Sequence, residues 1–211
     1  MSYQLYGELG SGAGIVEVAL AAAGVKYEFR SVSLDKSEQR SETYARLNPQ
    51  RKLPTLVTPA GETLTESAAI LLVLDERHPG ARLFPLARTP ERAQALRWLT
   101  FAAAELYPII EIVDYPERFT PNGGNAPAVR ELARSIWRER WQVLEAQIAG
   151  EPWLLSSGFC FTDVYIACLS RWSFDPAWRA EHLPRAEKLA AAVATQPIIG
   201  DVWRRHYARS A

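Results

Sequence analysis

The sequence predicts an α/β domain followed by an all-helical one, and three observations carry that prediction. Residues 1–80 alternate strand-like and helix-like patterns. From residue 91 onward, helical periodicity runs almost unbroken. Between them, HPGARLFPLARTP (78–90) places Pro79, Pro85 and Pro90 within twelve residues. Proline removes a backbone donor and restricts its predecessor, so this stretch joins elements rather than forming one. The first domain is therefore set at 1–80, the linker at 81–90 and the second domain at 91–211. Composition changes at the same place. All seven tryptophans lie from Trp98 onward, and 8 basic against 10 acidic side chains up to residue 80 give way to 16 against 14 after it.

Tyr3–Tyr6 reads as a short strand ending at Gly7. Ile15, Val18, Ala19 and Ala22 recur at helical spacing, and Gly24 stops that helix. Val25, Tyr27 and Phe29 alternate as in a strand. A helix is expected around 37–47. Leu53–Thr58 is a strand, Pro59-Ala60-Gly61-Glu62 a turn and Thr63–Thr65 a return strand. From Glu66 the chain turns helical, with Ile70, Val73 and Leu74 on one face. In the second half, Pro108 and Pro116 interrupt a long helical segment, 91–118, and predict a kink or a broken end. Asn122-Gly123-Gly124-Asn125 is a loop. Val129, Leu132, Ile136, Val143 and Leu144 mark an amphipathic helix. Thr162–Trp172 is apolar all round, as in a buried central helix. Ala186–Thr195 and Pro197–Ala208 are shorter helices, the latter with proline at its first position.

The composition excludes several classes. With 48% hydrophobic and 23% charged residues, the 211-residue chain is not wholly disordered. Its formal net charge of zero argues against nucleic acid or an anionic membrane as the main partner. No apolar run reaches the ~20 residues of a membrane span, and MSYQLYGELG has neither the basic nor the apolar region of a secretory signal. Cys160 and Cys168 are the two cysteines, a count that suits a reduced, cytoplasmic setting. His78, His182 and His206 are scattered, so no metal is expected.

Three segments carry chemistry. GELGSGAG (7–14) lies between a strand and a helix, but its glycines fit no nucleotide loop: the dinucleotide fingerprint has Ile15 where it needs glycine, and the phosphate loop has Ala13 after Gly12 instead of lysine. What remains is a side-chain-poor turn that exposes Ser11 and backbone N–H groups at a helix N-terminus. Such a turn suits an anion, or equally leaves a solvated serine. In Asn48-Pro49-Gln50-Arg51-Lys52-Leu53-Pro54, a proline opens a strand and frees the Leu53 backbone from the ladder. A cis bond there would present that backbone to a peptide-like ligand; a trans edge proline is the plain alternative. In Leu64-Thr65-Glu66-Ser67-Ala68-Ala69-Ile70, Ser67 either caps the helix or joins free N–H groups in binding a carboxylate, with Glu66 taking an ammonium.

In this order and on these elements, the segments resemble the glutathione transferase superfamily. The resemblance covers nearly the whole chain. It implies a thioredoxin-like N-terminal domain ahead of the helical one and glutathione as co-substrate. It also implies a small hydrophobic electrophile as second substrate, and a homodimer. Pro54 would be cis, the Leu53 backbone would pair with the cysteinyl unit, Glu66 and Ser67 would hold the γ-glutamyl end, and Lys52 would lie near the glycyl end. The thiol-activating position falls on Ser11 or Tyr6, of which Ser11 is preferred. Gly12 and Ala13 stand where other bacterial members carry Cys or Ser, which speaks against cysteine-type chemistry. Phe159-Cys160-Phe161-Thr162-Asp163 resembles the family's capping segment, with Thr162 or Asp163 expected to cap because a thiol caps poorly. Trp98, Phe101, Tyr107 and Tyr115 are the candidates to meet the electrophile. The reading is an enzyme that activates the glutathione thiol. A non-catalytic binding or scaffold protein of the same fold, and a glutathione-dependent isomerase or peroxidase, stand as alternatives.

Overall fold

The computed structural model describes residues 2–172 and 175–207. In chain order the elements are β1 (Tyr3–Gly7), α1 (Ala13–Ala22), β2 (Tyr27–Ser31), α2 (Glu42–Leu47), β3 (Thr55–Val57), β4 (Thr63–Leu64), α3 (Ser67–Arg77), α4 (Pro90–Phe101), α5 (Tyr107–Asp114), α6 (Ala126–Glu145), α7 (Phe161–Arg171), α8 (Pro176–His182), α9 (Pro184–Ala194) and α10 (Gly200–Tyr207). The fold is the thioredoxin-like α/β arrangement followed by helices. The chain groups into two compact units, Met1–Phe84 with Val193–Ala211, and Pro85–Ala192.

In the first unit the sheet order is β2-β1-β3-β4. Strand β2 runs parallel to β1, whereas β3 is antiparallel to β1 and to β4. The period of two in β1 buries Tyr3, Leu5 and Gly7 and leaves Gln4 and Tyr6 half-exposed on the opposite face. Helix α1 packs against β1, α3 and α10. Its small residues leave no polar face, and Ala13 through Leu20 are all buried, Glu17 among them. Gly24 ends it at φ +64°, a conformation that favours glycine. The helix expected at 37–47 divides: a 3-10 turn at Glu38–Arg40 precedes α2, which starts where the Ser41 hydroxyl accepts the Tyr44 N–H.

In the second unit, α7 is buried from Phe161 to Ser170, and Trp137 and Trp141 of α6 are fully enclosed with their rings edge to face. The segment 91–118 breaks as its prolines require. A π turn at Ala102–Leu106 separates α4 from α5. Pro108 has no N–H for the Ala104 carbonyl and crowds it, so the helix widens just ahead and the Tyr107 N–H reaches back five residues to Ala102 O. Pro116 then ends α5 in a 3-10 turn.

Besides the divided helix at 37–47, three sequence expectations change. The domain set at 91–211 loses residues from Val193 on to the first unit, because α10 packs on α1. The last helix starts at Gly200 instead of Pro197, since the N–H groups of Ile199 and Gly200 close a turn onto the Gln196 carbonyl; Ala208 lies outside the described residues. Helix α8, not anticipated, is capped by Asp175. Among the described residues no helix is long and apolar enough to cross a membrane.

Candidate functional site

The register brings the three segments to one end of the sheet. Thr55 stands opposite Tyr6, and Leu64 opposite Leu56. The end of β1, the start of β3 and the end of β4 are therefore neighbours. There the loop of 8–12, the Leu53–Pro54 step and the Glu66–Ser67 corner all begin.

The first loop is held from several sides. The Ser11 hydroxyl donates to the Glu8 carbonyl at 2.7 Å and accepts the N–H groups of Ala13 and Glu8 at 3.2 and 3.3 Å. Its proton is thus committed within the loop, and its oxygen accepts one N–H from the first turn of α1 and one from the loop itself. The Glu8 carboxylate accepts the Leu34 N–H, and the Gly10 N–H is donated to His206 Nδ1 at 3.1 Å. No side chain of the N-cap residue, Gly12, closes α1, and the Gly12 N–H has no hydrogen-bond partner among the described residues. A helix N-terminus left open in this way favours an anion.

Tyr6, the other activation candidate, lies on the face of the sheet covered by α2. Its hydroxyl donates to Gln4 Oε1 at 3.2 Å and its ring meets Tyr44 edge to face. It lines an open cleft of about 710 Å3 together with Phe29, Arg30, Ser41 and Tyr44.

The second segment is built around a buried polar cluster. Asn48 Nδ2 donates to the Lys52 carbonyl at 2.8 Å and to Thr55 Oγ1 at 3.1 Å, while the Tyr44 hydroxyl donates to the Lys52 carbonyl at 2.9 Å and accepts the Thr55 hydroxyl at 2.8 Å. Burial pushes the Tyr44 phenol above its ordinary range, which keeps it a neutral donor. With the Lys52 carbonyl pinned, the chain enters Pro54 through a cis Leu53–Pro54 bond, and the Leu53 N–H and C=O have no partner among the described residues. The Lys52 side chain is exposed. The sequence had singled out Asn48 only as part of a motif, and Tyr44 not at all. A polar residue between a helix end and a proline was the available signal.

At the third segment Glu66, not Ser67, is the N-cap of α3. Ser67 opens the helix as its first residue and is only 5% exposed. Glu66 is exposed and held at φ 62°, ψ 102°. A non-glycine residue there costs roughly 1–3 kcal/mol, and such strain collects at ligand sites. The Ile70 N–H donates to the Glu66 carbonyl and closes the first turn of α3.

The aromatic candidates lie in the second unit. Trp98 of α4 is buried, 4% exposed, with its ring edge on Phe101 and the Arg97 guanidinium over it. Tyr107 is half-buried against Tyr165 and Trp172. Tyr115 is exposed beneath Arg118. At α7 the expectation for the cap is corrected in part. Cys160 is the N-cap, its thiol facing the Asp163 N–H, and the Asp163 carboxylate accepts the N–H groups of Cys160 and Leu154, both at 2.8 Å. Thr162 does not cap, because its hydroxyl donates to the Ala95 carbonyl. Burial pushes the Cys160 thiol up to about 12, so it is no nucleophile. Among the described residues no group of three His, Cys, Asp or Glu is placed to hold a metal ion.

The profile described as "Glutathione S-transferase, N-terminal domain" matches residues 5–82. Over 207 residues the chain is 30% identical to the uncharacterized GST-like protein YncG of Escherichia coli strain K12, covering 96% of this chain and 98% of that one. The chain belongs to the glutathione transferase superfamily. Within it, the glutathione S-transferase GstA of Escherichia coli O157:H7 is 25% identical over 82% of this chain and 85% of its own length. The fold is shared with a glutathione transferase homologue from Sulfitobacter, crystallised with bound glutathione, at a TM-score of 0.88 and 20% identity over 98% of this chain and 99% of that one.

Proposed function

We propose that this superfamily member is a glutathione S-transferase that ionises the glutathione thiol for attack on a small hydrophobic electrophile. The observation that supports it most is the meeting, at one end of the sheet, of an unpartnered Leu53 backbone, the strained Glu66 at the mouth of α3 and the uncapped mouth of α1. Leu53 pairs with the cysteinyl unit by strand addition. Glu66 takes the γ-glutamyl ammonium, Ser67 and the α3 N–H groups its carboxylate, and Lys52 the glycyl carboxylate. The sulfur then faces the loop of 8–12. A thiol of pKa ~8.5 is mostly protonated at neutral pH, and donors aimed at sulfur favour the thiolate. Ser11 supplies one if its hydroxyl turns from the Glu8 carbonyl, and the Gly12 N–H is a second. Tyr6 remains the rival donor. The thiolate forms a C–S bond; the leaving group departs with its electron pair, and the thiol proton goes to water. Tyr107, half-buried, and Trp98, buried beside Phe101, are the aromatic side chains of the second unit proposed to bind a small hydrophobic group. The protein works in the cytoplasm as a homodimer.

Two measurements test this. Ser67→Ala should weaken glutathione binding by calorimetry by ~1.5–3 kcal/mol while the fold survives; unchanged affinity removes Ser67 from the site. Thiolate absorbance of the bound complex against pH, in wild type, Ser11→Ala and Tyr6→Phe, identifies the donor. A shift lost only in Tyr6→Phe makes this a tyrosine-type enzyme, and one kept in both variants assigns the work to backbone N–H groups. A second reading, a binder without turnover, draws support from the inward commitment of the Ser11 proton. Tight glutathione binding with no thiolate shift in wild type would establish it.

A further inference from the structure

The glycine-rich stretch that fits no nucleotide loop has a partner 196 residues away. His206 of α10 accepts the Gly10 N–H at Nδ1, and its Nε2 lies 2.6 Å from Glu17 Oε2 in the middle of α1. The side chains of His206 and Glu17 are wholly buried, and Arg205 pairs with the other Glu17 oxygen. Chemistry fixes the tautomer. An imidazole nitrogen that accepts an N–H carries no proton, so Nδ1 is bare and Nε2–H donates to the carboxylate. Burial and the Arg205 charge lower His206 to about 4, in keeping with a neutral ring. The glycines make room for it. A Cβ on Gly14 would stand 2.9 Å from His206 Nδ1 and 2.7 Å from the Tyr207 hydroxyl, and Gly10 adopts φ +82° to aim its N–H at the ring.

We infer that His206 is a positioning residue for thiol activation, with Glu17 and Arg205 holding its ring and Gly10 receiving its effect. Gly10 immediately precedes Ser11. Fixing the Leu9–Gly10 peptide sets where the Ser11 hydroxyl and the Gly12 N–H stand, the two groups that the proposed function turns towards the sulfur. The inference rests on the function proposed above, since it names the support of that same loop. It goes beyond that reading by placing a determinant of thiolate stability in the C-terminal helix.

Two near-isosteres separate the two ring nitrogens. His206→Asn keeps an acceptor at the Nδ1 position and loses the reach to Glu17. His206→Gln keeps a donor at the Nε2 position and loses the acceptor for Gly10. The readouts are hydrogen exchange at the Gly10 amide, the thiolate titration of bound glutathione, and kcat against the KM for glutathione. His206→Gln should exchange the Gly10 amide at least ~10-fold faster. It should also raise the thiolate pKa and lower kcat, with KM within about twofold. His206→Asn, which keeps the acceptor for Gly10, should protect the Gly10 amide better than His206→Gln and be clearly less impaired in the thiolate titration and kcat. Equal impairment of both variants, or wild-type behaviour of His206→Gln, overturns the inference. Should either variant fail to fold, nitrogen chemical shifts of wild-type His206 decide: a bare Nδ1 supports the assignment and a protonated Nδ1 sinks it. Absence of a thiolate shift in wild type would instead count against the proposed function, while the Gly10 exchange still reports the tether.

Discussion

Helices α1 and α7 are both buried along almost their whole length, yet they begin in opposite ways. At α7 the Asp163 carboxylate closes the N-terminus with two short bonds to N–H groups, and Thr162 ties the same turn to Ala95. At α1 the cap position is a glycine, no acidic side chain stands in the first turn, and the one hydroxyl nearby also braces its own loop. A sealed helix end serves stability alone. An open one sacrifices some stability and leaves partial positive charge for something else to use. The second unit holds the sealed end and the first unit the open one.

Breaking the sealed end should have the largest effect. Asp163→Ala leaves two buried N–H groups without an acceptor, at a cost of roughly 3–5 kcal/mol in urea denaturation. Ser11→Ala at the open end should cost only ~1 kcal/mol. Comparable losses would mean that α1 is as dependent on its cap as α7.

Acid sharpens the contrast, because the two ends carry groups of opposite sign. His206 folds neutral, with its pKa lowered from 6.5 to about 4. Between those values only the unfolded chain takes up the proton, so its contribution is full above pH 6.5 and falls as pH drops towards 4. Burial pushes Asp163 from 3.8 up to about 6. There the folded chain holds the extra proton, and stability from this group rises as pH falls through that window. Each spans up to about 3 kcal/mol. Relative to wild type, Asp163→Asn should therefore lose stability more steeply from pH 6 to 4, and His206→Asn less steeply. Parallel profiles would refute the assignment of both groups.

A third change acts on the seat of α10. Gly14→Ala drives a methyl group against the Tyr207 hydroxyl and His206 Nδ1, at about 1–3 kcal/mol by thermal denaturation. If Gly14→Ala is as stable as wild type, α10 does not sit tightly on α1.

The alternation of elements was legible because a strand's period of two and a helix's 3.6 are local properties, and Pro108 announced the break after α4 in the same way. The corner at Glu66–Ser67 was legible as a motif, though its strain was not, since nothing in a side chain's identity reports a positive φ. The direction of the Ser11 proton was hidden because it depends on where the Glu8 carbonyl falls. His206 looked like one of three scattered histidines. Its partners, Gly10 and Glu17, are brought to it only by the packing of α10 on α1, and no window of sequence spans that distance.

The π turn ahead of α5 carries one more consequence. An extra residue in a turn shifts everything after it by about 100° around the helix axis relative to an unbroken α-helix. Tyr107 meets Tyr165 and Trp172 in that shifted phase. Deleting one residue from Ala102–Ala104 would restore the regular winding and leave Tyr107 in its present phase, whereas Pro108→Ala, which lets regular winding return with every residue kept, would swing Tyr107 away from both rings. Rotational phase, set by Pro108 through a carbonyl it cannot satisfy, thus selects which aromatic side chain of this segment faces α7.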